Sequence, residues 1–344
     1  MPHTQSLHYP QEQHPAPGTI VPVAPGVHWL RLPLPFVLDH INLWLLDDGE
    51  GSLLVDTGIG LDSVKQVWEQ LLAGPCRARP IRRIFVTHCH PDHLGLAEWL
   101  MDRLQAPLLI TQGELLMAHA WWHQLPGHNV EAMLALFRRH GLDQARLDLL
   151  ARGGPTYSKR VPRLPAAYQR LLHGDEIPVG GRTWRVLVGY GHSPEHASLY
   201  CEEITTLISG DMLLPRISTN ISVLAATPDG DPLKLYLDSL VRLKALPEDV
   251  LVLPSHGRPF RGLHARIAQL EHHHRERCAE LLAACATPRS AAELLPVLFR
   301  RELDAHQVMF AMGEAIAHLN YLEHARQVRK LEGEDGKVKY AATH

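Results

Sequence analysis

Short apolar runs alternate with polar, glycine-marked breaks along this chain, and the period of each run predicts its element. Residues 27–32 and 41–46 read as strands, and Asp47-Asp48-Gly49-Glu50-Gly51 as the turn that follows. Residues 52–55 form a further strand ending at Asp56-Thr57-Gly58. Residues 61–72 carry apolar side chains at helical spacing, with Asp62 and Ser63 near the start. The apolar run 81–86 predicts a buried strand, 94–104 a helix and 107–110 another strand. This alternation predicts a layered α/β fold.

From residue 112 to about 150 the pattern turns helical, and the Gly- and Pro-rich stretch 152–165 reads as a loop. Strands resume at 183–188, 196–201 and 206–209, a helix follows at 232–246, and a strand at 250–253. The tail changes character. It reads as helices at 262–284, 290–299 and 304–324, then a hairpin over 327–341 that turns at Glu332-Gly333-Glu334-Asp335-Gly336-Lys337. Helix, helix, helix, hairpin is the order of a winged-helix module. The chain therefore divides into a flexible N-terminal arm (1–18), a main domain (19–262) with a helical insertion at about 112–165, and a C-terminal helical, winged-helix-like domain (263–344).

The chemistry sits where strands end. His88-x-His90-x-Asp92-His93 directly follows the strand 81–86 and precedes a helix. A strand end is a rigid platform, and the next loop can turn several side chains into one cleft. Imidazole suits Zn²⁺ and similar borderline ions. Pro91 keeps His90 out of helical geometry. His192 in Gly191-His192-Ser193, Asp211 in Gly210-Asp211 and His256 in Ser255-His256-Gly257 each follow another strand. A single such residue is ordinarily structural. Four strand ends that each offer a metal-type side chain beside Gly or Pro argue for one shared metal site.

Together with Asp56-Thr57-Gly58, these strings resemble the metallo-β-lactamase-fold hydrolase superfamily, in the family's order and over roughly residues 19–262. The resemblance implies a four-layer αββα sandwich with the site at one edge. It implies that His88, His90 and His192 hold a first metal ion, that Asp92, His93 and His256 hold a second, and that Asp211 bridges them. Asp56 would orient a ligand histidine from behind. The implied cofactors are two divalent ions, Zn²⁺ ahead of Fe or Mn²⁺. The tail resembles that of β-lactamase-like protein 2 relatives. One departure is visible: Glu195 precedes His196 where the family often has Gly.

Such a site activates water as a hydroxide for attack on an ester, thioester or lactone, and Asp92 is the expected catalytic group that passes a proton to the leaving atom. Trp121, Trp122, His123 and Phe137 are expected to line a lid pocket, and Arg216 or Asn220 to bind a substrate carboxylate or carbonyl. A small acyl substrate leads. A nuclease and a di-iron redox enzyme are the alternatives, and a binding protein on an inactive scaffold is disfavoured by the complete ligand set.

Composition narrows the field further. The chain has 344 residues and a formal net charge of −3, so nothing global draws it to nucleic acid. No run of about 18 apolar residues suggests a membrane span. Five cysteines without a CxxC pair argue against a disulfide framework and for the cytoplasm. With 24 histidines, count says little and spacing decides. His272-His273-His274 cannot all face one ion from a helix and are expected on a solvated face. The segment 304–324 has few basic residues, so packing or homodimerisation of the tail ranks above nucleic-acid binding.

Overall fold

The computed structural model describes residues 7–154 and 156–343. Seven strands form the first sheet in chain order: Val21–Ala24, Val27–Pro33, His40–Asp48, Gly51–Val55, Ile81–Phe85, Leu108–Thr111 and Gln169–Leu171. The pairs are antiparallel up to Gly51–Val55 and parallel beyond it. The second sheet runs Leu251–Pro254, Thr206–Gly210, His196–Cys201, Arg182–Gly189, Glu176–Val179, with only its first pair parallel.

Three apolar layers give the sandwich. Side chains alternate across a strand, and here both faces are apolar. Leu30, Leu32, Leu43 and Leu45 pack under the helices Asp62–Ala73 and Ala97–Leu104. Trp29, Trp44 and Phe85 point the other way and meet Trp184, Val186, Leu199 and Leu253 of the second sheet. Tyr200, Leu207 and Val252 lie on that sheet's far face, covered by the helix Pro232–Leu243 and the C-terminal helices. This is the expected αββα sandwich.

The outer core is continuous with the tail. Leu233, Tyr236 and Leu240 share it with Leu270 and Leu281 of Leu263–Ala284, Leu294 of Ala291–Leu298, and Met312 and Ile316 of Ala305–His324. The hairpin Val328–Glu332 and Val338–Ala342 closes the order expected of a winged helix.

Four local features differ from expectation. The helix expected over 94–104 is broken into Pro91–Leu94 and Ala97–Leu104. At Gly95 a Cβ would lie 2.3 Å from the Pro91 carbonyl oxygen and 2.6 Å from the Gly60 amide nitrogen, so glycine lets the two loops cross. The strands 21–24, 169–171 and 176–179 have only three or four residues each, and Pro22 and Pro178 interrupt two of them, so none stands out as a run. A single turn, Tyr157–Arg160, interrupts the 152–165 loop. Residues 7–18 of the arm do not run free: His8 pairs with Arg261, and the Arg258 guanidinium sits 4.5 Å over the Tyr9 ring. Residues 1–6 of that arm lie outside the described residues.

The histidine triplet is not a solvated face. His272 is exposed, but His274 recurs with Leu270, Cys278 and Leu281 on the buried stripe of its helix. Its Nδ1 lies 3.1 Å from His318 Nε2, and His318 Nδ1–H donates to the Glu314 carbonyl at 2.8 Å. Burial, with each imidazole's neighbours, pushes His274 down to about 3; burial likewise takes His318 down to about 4. The unfolded chain binds these protons near pH 6.5 and the folded chain does not, so their contribution to stability is complete above that pH and is lost as pH falls toward 4. Burial raises Glu314 to about 7, which acts in the opposite sense between about pH 4.5 and 7. A His274→Gln variant isolates one histidine. Denaturant titrations at pH 6.5, 5.5 and 4.5 should show its stability falling less steeply than the wild type's, by up to about 1.4 kcal/mol per pH unit. Parallel slopes would overturn this.

Candidate metal centre

The strands that carry the chemistry end on one edge. Gly51–Val55 and Ile81–Phe85 run parallel and deliver Asp56 and the His88–His93 loop. Thr206–Gly210 and Leu251–Pro254 run parallel and deliver Asp211 and His256. Arg182–Gly189 points the same way as Thr206–Gly210, because both pair antiparallel with His196–Cys201, and it delivers His192.

All seven expected side chains converge there. One atom each from His88, His90 and His192 lie within 4.8 Å of one another; so do those of Asp92, His93 and His256, and those of His88, His93 and Asp211. Asp211 stands between the first two groups: its carboxylate is 3.6 Å from His192 Nε2, 3.8 Å from His93 Nε2 and 3.4 Å from His256 Nε2.

Four of the five rings are held from behind. His192 Nδ1–H donates to the Asn220 carbonyl at 2.7 Å, and His256 Nδ1–H to the His40 carbonyl at 2.8 Å. His93 Nδ1 is 2.8 Å from Asp56 Oδ2, and His88 Nδ1 is 3.0 Å from the Thr87 hydroxyl. Asp56 also accepts from the Thr87 amide and hydroxyl. It takes a left-handed backbone, φ 64°, a strained state for a non-glycine residue. Anchoring of this kind fixes the tautomer and leaves Nε2 to face the cluster.

The inward-facing atoms fit a cation. His93 Nε2 and Asp211 Oδ1 are buried and have no hydrogen-bond partner among the described residues. His88 Nε2 lies 2.9 Å from His90 Nδ1 and 3.2 Å from His192 Nε2. Three ring nitrogens facing one another cannot all be satisfied by protons, whereas a cation at their focus accepts all three lone pairs. Burial and the neighbouring imidazoles hold His88 well below the ordinary histidine value, and burial with His192 takes His90 down to about 3. On the other side burial opposes charge on His93, yet Asp56, Asp92 and Asp211 lift it to about 9. Against burial, the same ring and His256 bring Asp92 down to about 2. One half thus offers neutral donors, and the other concentrates carboxylates that demand positive charge.

Three supporting residues have no role in the sequence reading, which names Glu195 and His196 only for the departure there and Glu114 not at all. His196 is fully buried, and its Nε2 accepts the Asp211 amide at 3.1 Å. Gly210, with φ 55°, makes room for it: a Cβ there would lie 2.3 Å from His196 Nε2. Glu114 is buried on the insertion helix Gln112–Trp122 and accepts from the Cys89 amide (2.9 Å), the Ser193 hydroxyl (2.6 Å) and the Glu195 amide (2.7 Å). Glu195 returns the contact, its carboxylate accepting the Gly113 amide at 2.8 Å in that helix's first turn. The departure at position 195 is therefore half of a reciprocal clamp between the insertion and the two histidine loops.

The remaining expected residues divide. Trp121 stacks on His90, centroids 6.0 Å apart and planes 17° apart. Trp122 turns away, and its indole N–H donates to the Val161 carbonyl. Phe137 lies in the outer core, so it is not a lid residue. Asn220 serves His192 through its main chain, while its Oδ1 accepts the Ser222 hydroxyl. Arg216 is exposed at the rim. Cys89 points into the helix-side core.

Fold and site together define an αββα protein with a cluster of histidines and carboxylates that could hold metal ions. The sequence profile of the metallo-beta-lactamase superfamily matches residues 37–256, and that of a metallo-beta-lactamase-like C-terminal domain matches residues 278–343. The chain belongs to the metallo-beta-lactamase superfamily and is a metallo-hydrolase of it. The crystal structure of a beta-lactamase domain protein from Burkholderia ambifaria is similar at a TM-score of 0.90 and 49% identity, over 98% of each chain. A probable metallo-hydrolase of Bacillus subtilis is 26% identical over 86% of this chain and 91% of its own. An acyl-coenzyme A thioesterase of Gallus gallus is 29% identical over 56% of this chain and 64% of its own. Among the described residues no helix is long and apolar enough to cross a membrane.

Proposed function

We propose that the protein hydrolyses a small acyl substrate, a thioester first and an ester or lactone next, at a centre for two divalent cations. His88, His90 and His192 would hold one ion, Asp92, His93 and His256 the other, and Asp211 would lie between them. The donor set of imidazoles and carboxylates suits Zn²⁺, with Fe and Mn²⁺ as competitors. The observation that carries this reading is the pair of buried, unpartnered atoms, His93 Nε2 and Asp211 Oδ1, aimed into a ring of imidazoles.

Bound there, the ions supply a water acidified toward neutral pH and positive charge for the developing oxyanion. The protein's side chains do the rest. The backing carbonyls of Asn220 and His40 hold His192 and His256 in one orientation. Trp121 covers His90 and narrows access for water on that side. Asp92, at 20% exposure the most open of the acids, faces the cleft. When water adds to the carbonyl carbon and the bond to sulfur or oxygen breaks, the Asp92 carboxylate, through the oxygen not turned to His93 and His256, carries the proton to the leaving atom. The thioester ranks first because an acyl-coenzyme A thioesterase is among the relatives, 29% identical over 56% of this chain.

The test is a hydrolysis screen of metal-loaded protein on thioesters, esters, lactones, β-lactams, phosphodiesters and RNA, with elemental analysis and a His90→Ala control. We expect turnover of an acyl substrate that disappears in the control. Activity surviving in His90→Ala would overturn the metal mechanism. Turnover of RNA or phosphodiesters alone would overturn the acyl reading.

A further inference from the structure

A cavity of about 300 Å³ lies against His256, on the side away from the insertion. The N-terminal arm supplies Tyr9 and His14 to its wall, the loop before His40 supplies Leu38, the loop after Asp211 supplies Arg216 and Ile217, and Arg258 follows His256 itself. This volume is at the lower end of small-molecule sites, so it suits a short chain.

Two properties of its lining coincide. Leu38, Ile217 and the Tyr9 ring give apolar walls. Arg216 and Arg258 add two guanidiniums, and among the described residues neither has a carboxylate within ion-pair distance. Asp39, the acid of the Leu38 loop, is already held by Arg31 at 3.3 Å and His40 at 2.6 Å. Arg258 is fixed in place: its guanidinium lies over Tyr9, and its Nη1 donates to the Gln11 and Glu12 carbonyls at 3.4 and 3.3 Å. Burial first, then Arg31 and Arg258 and last Arg216, hold His14 below its ordinary value, against the opposing pull of Asp39. Guanidinium pairs in such a setting recognise carboxylates through charge-assisted hydrogen bonds.

We propose that this cavity receives the acyl end of the substrate and selects a short chain that terminates in a carboxylate, with Arg216 and Arg258 as the anion-binding pair and the N-terminal arm as the outer wall. The proposal rests on the acyl-hydrolase reading and adds the substrate class. A ligand seated there has its apolar methylenes against Leu38 and Ile217 and its head toward His256. It also gives the arm a function: Tyr9 holds one of the two arginines that read the substrate.

The experiment compares glutaryl and pentanoyl thioesters of N-acetylcysteamine, whose leaving thiol carries no phosphate and no other charge. In the metal-loaded wild type the ratio of kcat/KM, glutaryl over pentanoyl, should be at least about tenfold. It should fall toward unity in Arg216→Gln, which alters an exposed side chain and leaves the arm in place, and further in the Arg216→Gln/Arg258→Gln double variant. A wild-type ratio near one, or a ratio unchanged in both variants, overturns the proposal. Should neither thioester be turned over, the acyl reading fails on its own, and calorimetric titration with glutarate and pentanoate judges the cavity separately. Preference for glutarate that is lost in the variants supports it, and equal binding of the two acids overturns it.

Discussion

An Asp211→Asn variant should lose turnover by on the order of 10³-fold or more and should retain no more than one ion per chain. The argument is electrostatic. The Asp211 carboxylate lies 3.4 to 3.8 Å from the Nε2 atoms of His93, His192 and His256, and its Oδ1 has no hydrogen-bond partner. Standing between the two ligand groups, it would offset the repulsion of two dications, which burial of the site would strengthen. Lewis-acid stabilisation of an oxyanion is worth several kcal/mol, and each 1.36 kcal/mol is tenfold in rate. Asparagine keeps the shape and the amide contact with His196 but removes the charge. Elemental analysis after dialysis, with steady-state rates, checks both parts. The melting temperature of the metal-free variant should stay close to wild type, which separates lost ion binding from lost folding. Two ions retained at full occupancy would overturn the bridging role.

Much of this centre was legible because strand ends are local in sequence. Each of His88–His93, His192, Asp211 and His256 is announced by an apolar run that stops at Gly, Pro or a polar residue, and a sheet brings such stops to one edge. What supports them was not legible. Glu114 and Ser193 are far apart in sequence, and their contact depends on how the insertion folds back, which no local pattern records. Read locally, Glu114 is an ordinary polar position on a helix. His274 was misread for a related reason. Three adjacent histidines look polar as a block, but a helix turns about 100° per residue and places only one of them on the stripe with Leu270 and Cys278. Phe137 was assigned by composition to a lid, whereas its helix Val130–Arg139 packs its apolar face into the outer core. The tryptophan pair shows the same limit: adjacent helical residues face different ways, so Trp121 reaches His90 and Trp122 reaches Val161.

The second large effect is expected at Glu114, a residue that touches neither candidate ion group. Its carboxylate accepts three hydrogen bonds, two on Oε1 and one on Oε2, from the loops that carry His88–His93 and His192. Burial pushes its pKa up, and those donors pull the other way. Glu114→Gln keeps the volume but turns one acceptor into a donor. If the amide oxygen stays with Ser193 and Glu195, the NH₂ faces the Cys89 amide, leaving two buried donors opposed. Hydrogen bonds to charged groups contribute about 1.5–3 kcal/mol each, and an unsatisfied buried donor costs about 1–3 kcal/mol. The loops should then hold their histidines less firmly. Loss of such outer support typically lowers metal affinity 10–100-fold. We therefore expect Glu114→Gln to weaken Zn²⁺ binding about 10–100-fold in chelator competition, most of it at the group of His88, His90 and His192, which the clamp joins. Glu195→Gln should do much less, because an amide oxygen can still accept the Gly113 N–H while its NH₂ turns to solvent. Equal affinities in Glu114→Gln and wild type would show that the two loops hold their register without the clamp. A lowered melting temperature with unchanged Zn²⁺ affinity would reduce Glu114 to a packing residue.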